Sequence, residues 1–155
     1  SVATDYDSKT DFKTYKTFFI LVCLVGSMFN CIFANYAFKK KVKSICVAYR
    51  VPVDAKNMEF GDKLFSLSLT SKRNNFEMVM LVGFASVGQA VSHQKSLNLA
   101  NAYLPETIIV QVNVPISKGE TMILEATCKA EKAIELAEGR LDSSDFMQQL
   151  NMETL

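Results

Sequence analysis

From Thr17 to Phe38 the chain runs for 22 residues without a charged side chain, and Lys39, Lys40, Lys41 and Lys43 follow at once. No other feature constrains the fold as much. A helix of that length rises about 33 Å, enough for the hydrocarbon core of a bilayer. Tyr15 and Tyr36 fall near its two ends, where aromatic residues favour a membrane interface. Ser27, Asn30 and Asn35 are polar positions that a packed apolar helix tolerates. The stretch is therefore expected to be a single transmembrane helix over residues 17–38, packing through Phe18, Val22, Gly26, Ser27, Asn30 and Asn35. Lys39, Lys40, Lys41 and Lys43 are its expected lipid head-group flank. Basic residues are more numerous after the span than before it, which puts the C-terminal domain on the cytoplasmic side. Two other readings compete. One is a signal peptide, which lacks a clean small-x-small cleavage site. The other is a buried hairpin of Phe18–Val25 and Cys31–Phe38 turning near Gly26 and Ser27, since Phe, Ile, Val and Cys suit strands.

Residues 1–16 form a short polar arm, and residues 39–155 are long enough for one small domain. Within that domain Ile45, Val47, Tyr49, Val51 and Val53 alternate as one strand, and Phe65, Leu67 and Leu69 as a second. Asn74 and Glu77 have capping-box spacing and open a helix that Pro105 must stop. Its first half, Met78–Val91, is apolar all round, so it is either buried in protein or a second membrane-embedded segment. Ile108 to Ile116 alternate as the clearest strand, Ser117-Lys118-Gly119 reads as a turn, and Thr121–Thr127 returns. Ala130–Glu138 is a helix with Gly139 just past its end, and Ser143 or Ser144 caps a last short helix. The expected fold class is α+β: a transmembrane helix, then a domain of order ββαββαα.

Charge and cysteine usage exclude several functions. Formal net charge is +1, and the one lysine run has no interleaved aromatics, so no nucleic-acid partner is expected. Cys23, Cys31, Cys46 and Cys128 form no CxxC pair, which points to neither a disulfide framework nor a metal motif. His93 is the single histidine and has no acidic or metal-ligating residue at helical spacing. Ser92 and Lys95 match a bare Ser-x-x-Lys spacing, but the Ser-Asp-Asn and Lys-Thr-Gly companions of that chemistry are absent. Gly83 and Gly88 bracket a helix segment with no Lys-Ser/Thr after it, so no phosphate loop is indicated. Glu131, Glu135, Glu138, Asp142 and Asp145 alternate with Lys129, Lys132 and Arg140 and read as a salt-bridged helix face.

Two short resemblances complete the picture. Ser1–Phe18, with Asp5-Tyr6-Asp7, Asp11-Phe12 and Tyr15-Lys16-Thr17, resembles the start of a family of small bacterial lipoproteins of unknown function. A short head, one span and then Val51-Pro52-Val53-Asp54-Ala55-Lys56-Asn57 is similar to bitopic subunits of conjugative secretion channels. Neither extends along the remaining chain, and neither implies a residue role.

The expected function is a non-catalytic structural or assembly subunit of a multi-protein membrane complex. Its partners would be the lipid bilayer and other subunits, with Gly83, Ser86 and Gly88 as the partner interface. No cofactor or metal is expected. The alternative is a soluble α/β domain binding an apolar small molecule, in a pocket enclosed by a Phe18–Phe38 hairpin and the Met78–Val91 helix.

Overall fold

The computed structural model describes the backbone of residues 2–155 and the side chains of residues 13–25 and 32–155. One continuous helix, α1 (Val2–Ala48), opens the chain, and a 3-10 turn (Ala55–Asn57) follows. Strands β1 (Met58–Phe60) and β2 (Leu64–Thr70), helix α2 (Phe76–Leu97), and strands β3 (Thr107–Ser117) and β4 (Glu120–Lys129) come next. Helices α3 (Ala130–Ala137) and α4 (Ser143–Gln149) and strand β5 (Asn151–Thr154) complete the chain. The sheet has the order β1-β2-β3-β4-β5. Only β2 and β3 are parallel, because α2 carries the chain back between them; every other neighbour pair is antiparallel.

Alternation decides which face of the sheet is covered. Phe65, Leu67 and Leu69 of β2, Ile108, Val110, Val112 and Val114 of β3, and Leu124 and Ala126 of β4 are buried on one face. The other face carries Ser66, Ser68, Gln111, Asn113, Glu125 and Thr127, all half-buried. The covered face meets α2, with α1 and α3 packed on its two flanks. Small residues make this packing close. A Cβ on Gly83 would stand 2.9 Å from a Val110 methyl group of β3, and one on Gly88 would meet the Ala133 carbonyl of α3. Val79, Met80, Val82, Phe84, Val87, Ala90 and Val91 are buried against the sheet and the neighbouring helices, and a strip at Met78, Ala85, Gln89 and His93 stays at least partly exposed, so α2 is a buried helix of the domain.

Helix α1 has two unlike parts. Ala34, Phe38, Val42 and Cys46 recur every four residues and are buried in the core. Above them Phe18, Phe19, Ile20, Leu21, Val22, Leu24, Val25, Ile32 and Phe33 are all exposed, most by more than half their surface, and so is Tyr36 between Ala34 and Phe38. Among the described residues no helix is long and apolar enough to cross a membrane. The single-pass transmembrane helix expected over residues 17–38 is corrected on that finding, and so is the membrane localisation with a cytoplasmic domain. A physical reason lies in the base of the stretch, because Ala34 and Phe38 belong to the domain core and so are not available to lipid. The hairpin alternative is corrected too, since residues 18–38 are helical throughout.

Four local expectations fail in instructive ways. The cap of the last short helix is Asp142, its carboxylate accepting from the Ser144 amide, and not Ser143 or Ser144. The strand expected from Ile45 to Val53 does not form; α1 continues to Ala48, and the short β1 lies at 58–60. The α2 cap is Asn75, not Asn74, and its side chain accepts from the Lys72 amide instead of capping the helix. Helix α2 ends at Asn98, in the left-handed region at φ 50°, well before Pro105. At the other end of the domain the expectation holds. Gly139 has φ 75°, its amide donates to Leu136 and the Arg140 amide to Glu135, which closes α3 in a Schellman motif.

Candidate functional site

Four rings gather where α1 leaves the domain. Phe38 of α1 meets Phe65 of β2 at 4.9 Å, Tyr103 at 5.1 Å and Phe60 of β1 at 5.7 Å, each edge to face. Phe60 lies 4.9 Å from Tyr103. Such pairs add about 0.5–1.5 kcal/mol each beyond the area they bury. Lys39 places its ammonium 5.2 Å from the centroid of the Phe60 ring.

The segment after α2 is held against these rings by one buried amide. Gln94 is fully buried; its Nε2 donates to the Ala34 carbonyl of α1 at 3.0 Å, and its Oε1 accepts from the Tyr103 amide at 3.2 Å. The Tyr103 hydroxyl in turn donates to the Gly61 carbonyl at 2.8 Å, with the Leu64 carbonyl at 3.3 Å. Helix, loop and β1–β2 hairpin are thus tied through two side chains. Burial, and then the charge of Asp62, push the Tyr103 phenol up to about 12.

Beside this cluster opens a cleft of about 500 Å³, within the range of small-molecule sites. Phe60 and Tyr103 supply its rings, Asn35 and Asn101 its amides, and Asp62, Lys63 and Glu106 its charges. The Lys63 ammonium is 3.8 Å from Glu106, with both side chains largely in solvent, so that pair binds weakly.

The residues singled out in the sequence fall in several places. Phe18 and Val22 are exposed on α1; Gly26, Ser27 and Asn30 lie outside the described side chains; Asn35 is half-buried at the cleft. Lys40 and Lys43 are exposed, Lys39 sits over Phe60, and Lys41 lines a separate cleft with Ser92, His93 and Glu138. Gly83, Ser86 and Gly88 are buried between elements of this same chain: against β2 and β3, α1 and α3 respectively. The Ser86 hydroxyl donates to the Gly83 carbonyl at 2.7 Å and accepts from the Cys46 thiol at 3.5 Å. Burial raises the pKa of Cys46, and pushes Cys128 up to about 12, so neither thiol is poised as a nucleophile.

The Ser-x-x-Lys spacing gains no chemistry from the fold. The Ser92 hydroxyl donates to Glu138 at 3.2 Å, and Arg140 holds that carboxyl below its ordinary range, which makes it a poor base. The expected salt-bridged face appears as Lys132–Glu135 and Arg140–Glu138. Sequence reasoning missed Phe60, Tyr103 and Gln94. Only the turn residues Gly61 and Asp62 carried a local signal there. No family model, no curated protein and no solved structure matches the chain.

Proposed function

We propose that this chain is a non-catalytic binding protein whose α+β domain takes a small molecule with an apolar body. The carrying observation is the 500 Å³ cleft beside the Phe38–Phe60–Phe65–Tyr103 cluster, at a junction of three elements tied by Gln94 and Tyr103. Its position differs from the pocket imagined between two apolar segments, because α1 and α2 pack directly on each other. The test is ligand-observed NMR of the full chain with a panel of aromatic fragments. Saturable binding that Asn101→Trp removes by filling the cleft supports this function. Fragments that bind equally well to Asn101→Trp, or none that bind, would sink it.

A second reading, assembly with partner proteins, is favoured by the exposed arm. Phe18, Phe19, Ile20, Leu21, Val22, Leu24 and Val25, with Ile32 and Phe33 further along, are exposed apolar side chains at successive positions around the helix, and a helix of that character is normally enclosed by other apolar structure. Light scattering tests it. The full chain is expected to associate, and a chain begun at Ile32 to run as a monomer. Monomers in both cases, or full-length chains that bind only lipid vesicles, would rule this reading out.

A further inference from the structure

We propose that the cleft selects an organic cation: an alkyl- or arylammonium whose body lies against Phe60 and Tyr103 and whose charge faces Asp62 and Glu106. This rests on the small-molecule reading above and adds the chemical class of the ligand. The first ground is charge. The lining holds two carboxylates, Asp62 and Glu106, against one ammonium, Lys63, which lies 3.8 Å from Glu106, so the excess negative charge is carried chiefly by Asp62. The second is the ring chemistry. An aromatic face attracts a cation through its quadrupole, and the structure already holds an instance in Lys39 over Phe60. The third is hydrogen bonding: the side-chain carbonyls of Asn35 and Asn101 are acceptors for N–H donors, and both residues are in the lining.

Three other clefts among the described residues lack this combination. The one of about 550 Å³ on α1 has the ring of Phe18 but only Lys13 for charge and no carboxylate. The cleft of about 490 Å³ at the end of α2 has Lys95 and Lys129 balancing Glu106 and Glu131, and no ring in its lining. The cleft of about 300 Å³ between α1 and α2 sets Lys41 against Glu138, so its charges balance, and it has no Phe, Tyr or Trp in its lining.

The experiment is an amide chemical-shift titration of the full chain with three probes of similar shape: benzylammonium, neutral benzyl alcohol and anionic benzoate. Benzylammonium is expected to give saturable shifts at Gly61, Asn101 and Tyr103. Benzyl alcohol should bind about tenfold more weakly, and benzoate not measurably. Asp62→Asn and Glu106→Gln, both at exposed positions, should each weaken benzylammonium about threefold or more, with the rest of the spectrum unchanged. Equal binding of benzyl alcohol would overturn the choice of a cation while leaving a small-molecule site standing. Benzylammonium binding that ignores both substitutions would overturn the assignment of its charge to those carboxylates. No saturable shift at these residues from any probe would overturn both this inference and the reading beneath it.

Discussion

At the scale of single residues, three positions carry measurable consequences. Gly88 lies so close to α3 that a Cβ would press on the Ala133 carbonyl, and backbone cannot yield as a flexible side chain can. Gly88→Ala is expected to cost about 3 kcal/mol, at the upper end of overpacking effects, read as a fall in the urea midpoint. Gln94→Leu removes both bonds of a fully buried amide and leaves the Tyr103 N–H without its partner. About 1–3 kcal/mol should be lost, with faster hydrogen exchange at Tyr103. Tyr103 itself sets a pH window. Its phenol ionises near 10 when unfolded and at about 12 when folded, so the native advantage is complete below 10 and fades between 10 and 12. The buried thiols act in the same sense, so the measurement is a difference. Unfolding free energy should fall less steeply over that interval in Tyr103→Phe than in the parent chain, and identical slopes would contradict the assigned shift.

At the scale of elements, the base of α1 belongs to the core while its upper part does not. Phe38→Ala should cost about 3–5 kcal/mol, as for other buried rings, whereas Phe19→Ala, on the exposed arm, should change stability by less than about 0.5 kcal/mol. Thermal or urea unfolding of the two variants checks the contrast. The same division explains what was legible in the sequence. Strands β3 and β4 and the close of α3 were readable because alternation and Gly139 are local signals. The end of α1 was not. Ile45, Val47, Tyr49, Val51 and Val53 alternate like a strand, yet Ala34, Phe38, Val42 and Cys46 supply a four-residue period that packs against α2, and tertiary contact prevailed. The lysines drew attention to the boundary of a span and hid that period, since Val42 is buried among them. Strand β5 had no sequence signal, because Asn151–Thr154 pairs simply where β4 offers an open edge. The cleft was equally illegible. Asn35, Phe60 and Tyr103 meet only after the chain has folded around α2, and no spacing rule connects them.

At the scale of the whole molecule, a rod has been planted in a small domain. Helix α1 is continuous over 47 residues, about 70 Å by its rise per residue. Its root is clamped by ring packing at Phe38 and by the Gln94 bond at Ala34. Because no break separates root from tip, the compass bearing of every exposed arm residue is set by the sheet below. One alanine inserted before Ala34 would swing the whole arm through about 100° relative to the cleft while leaving the domain intact. Direction, and not only stickiness, is therefore part of what the arm offers to anything that meets it.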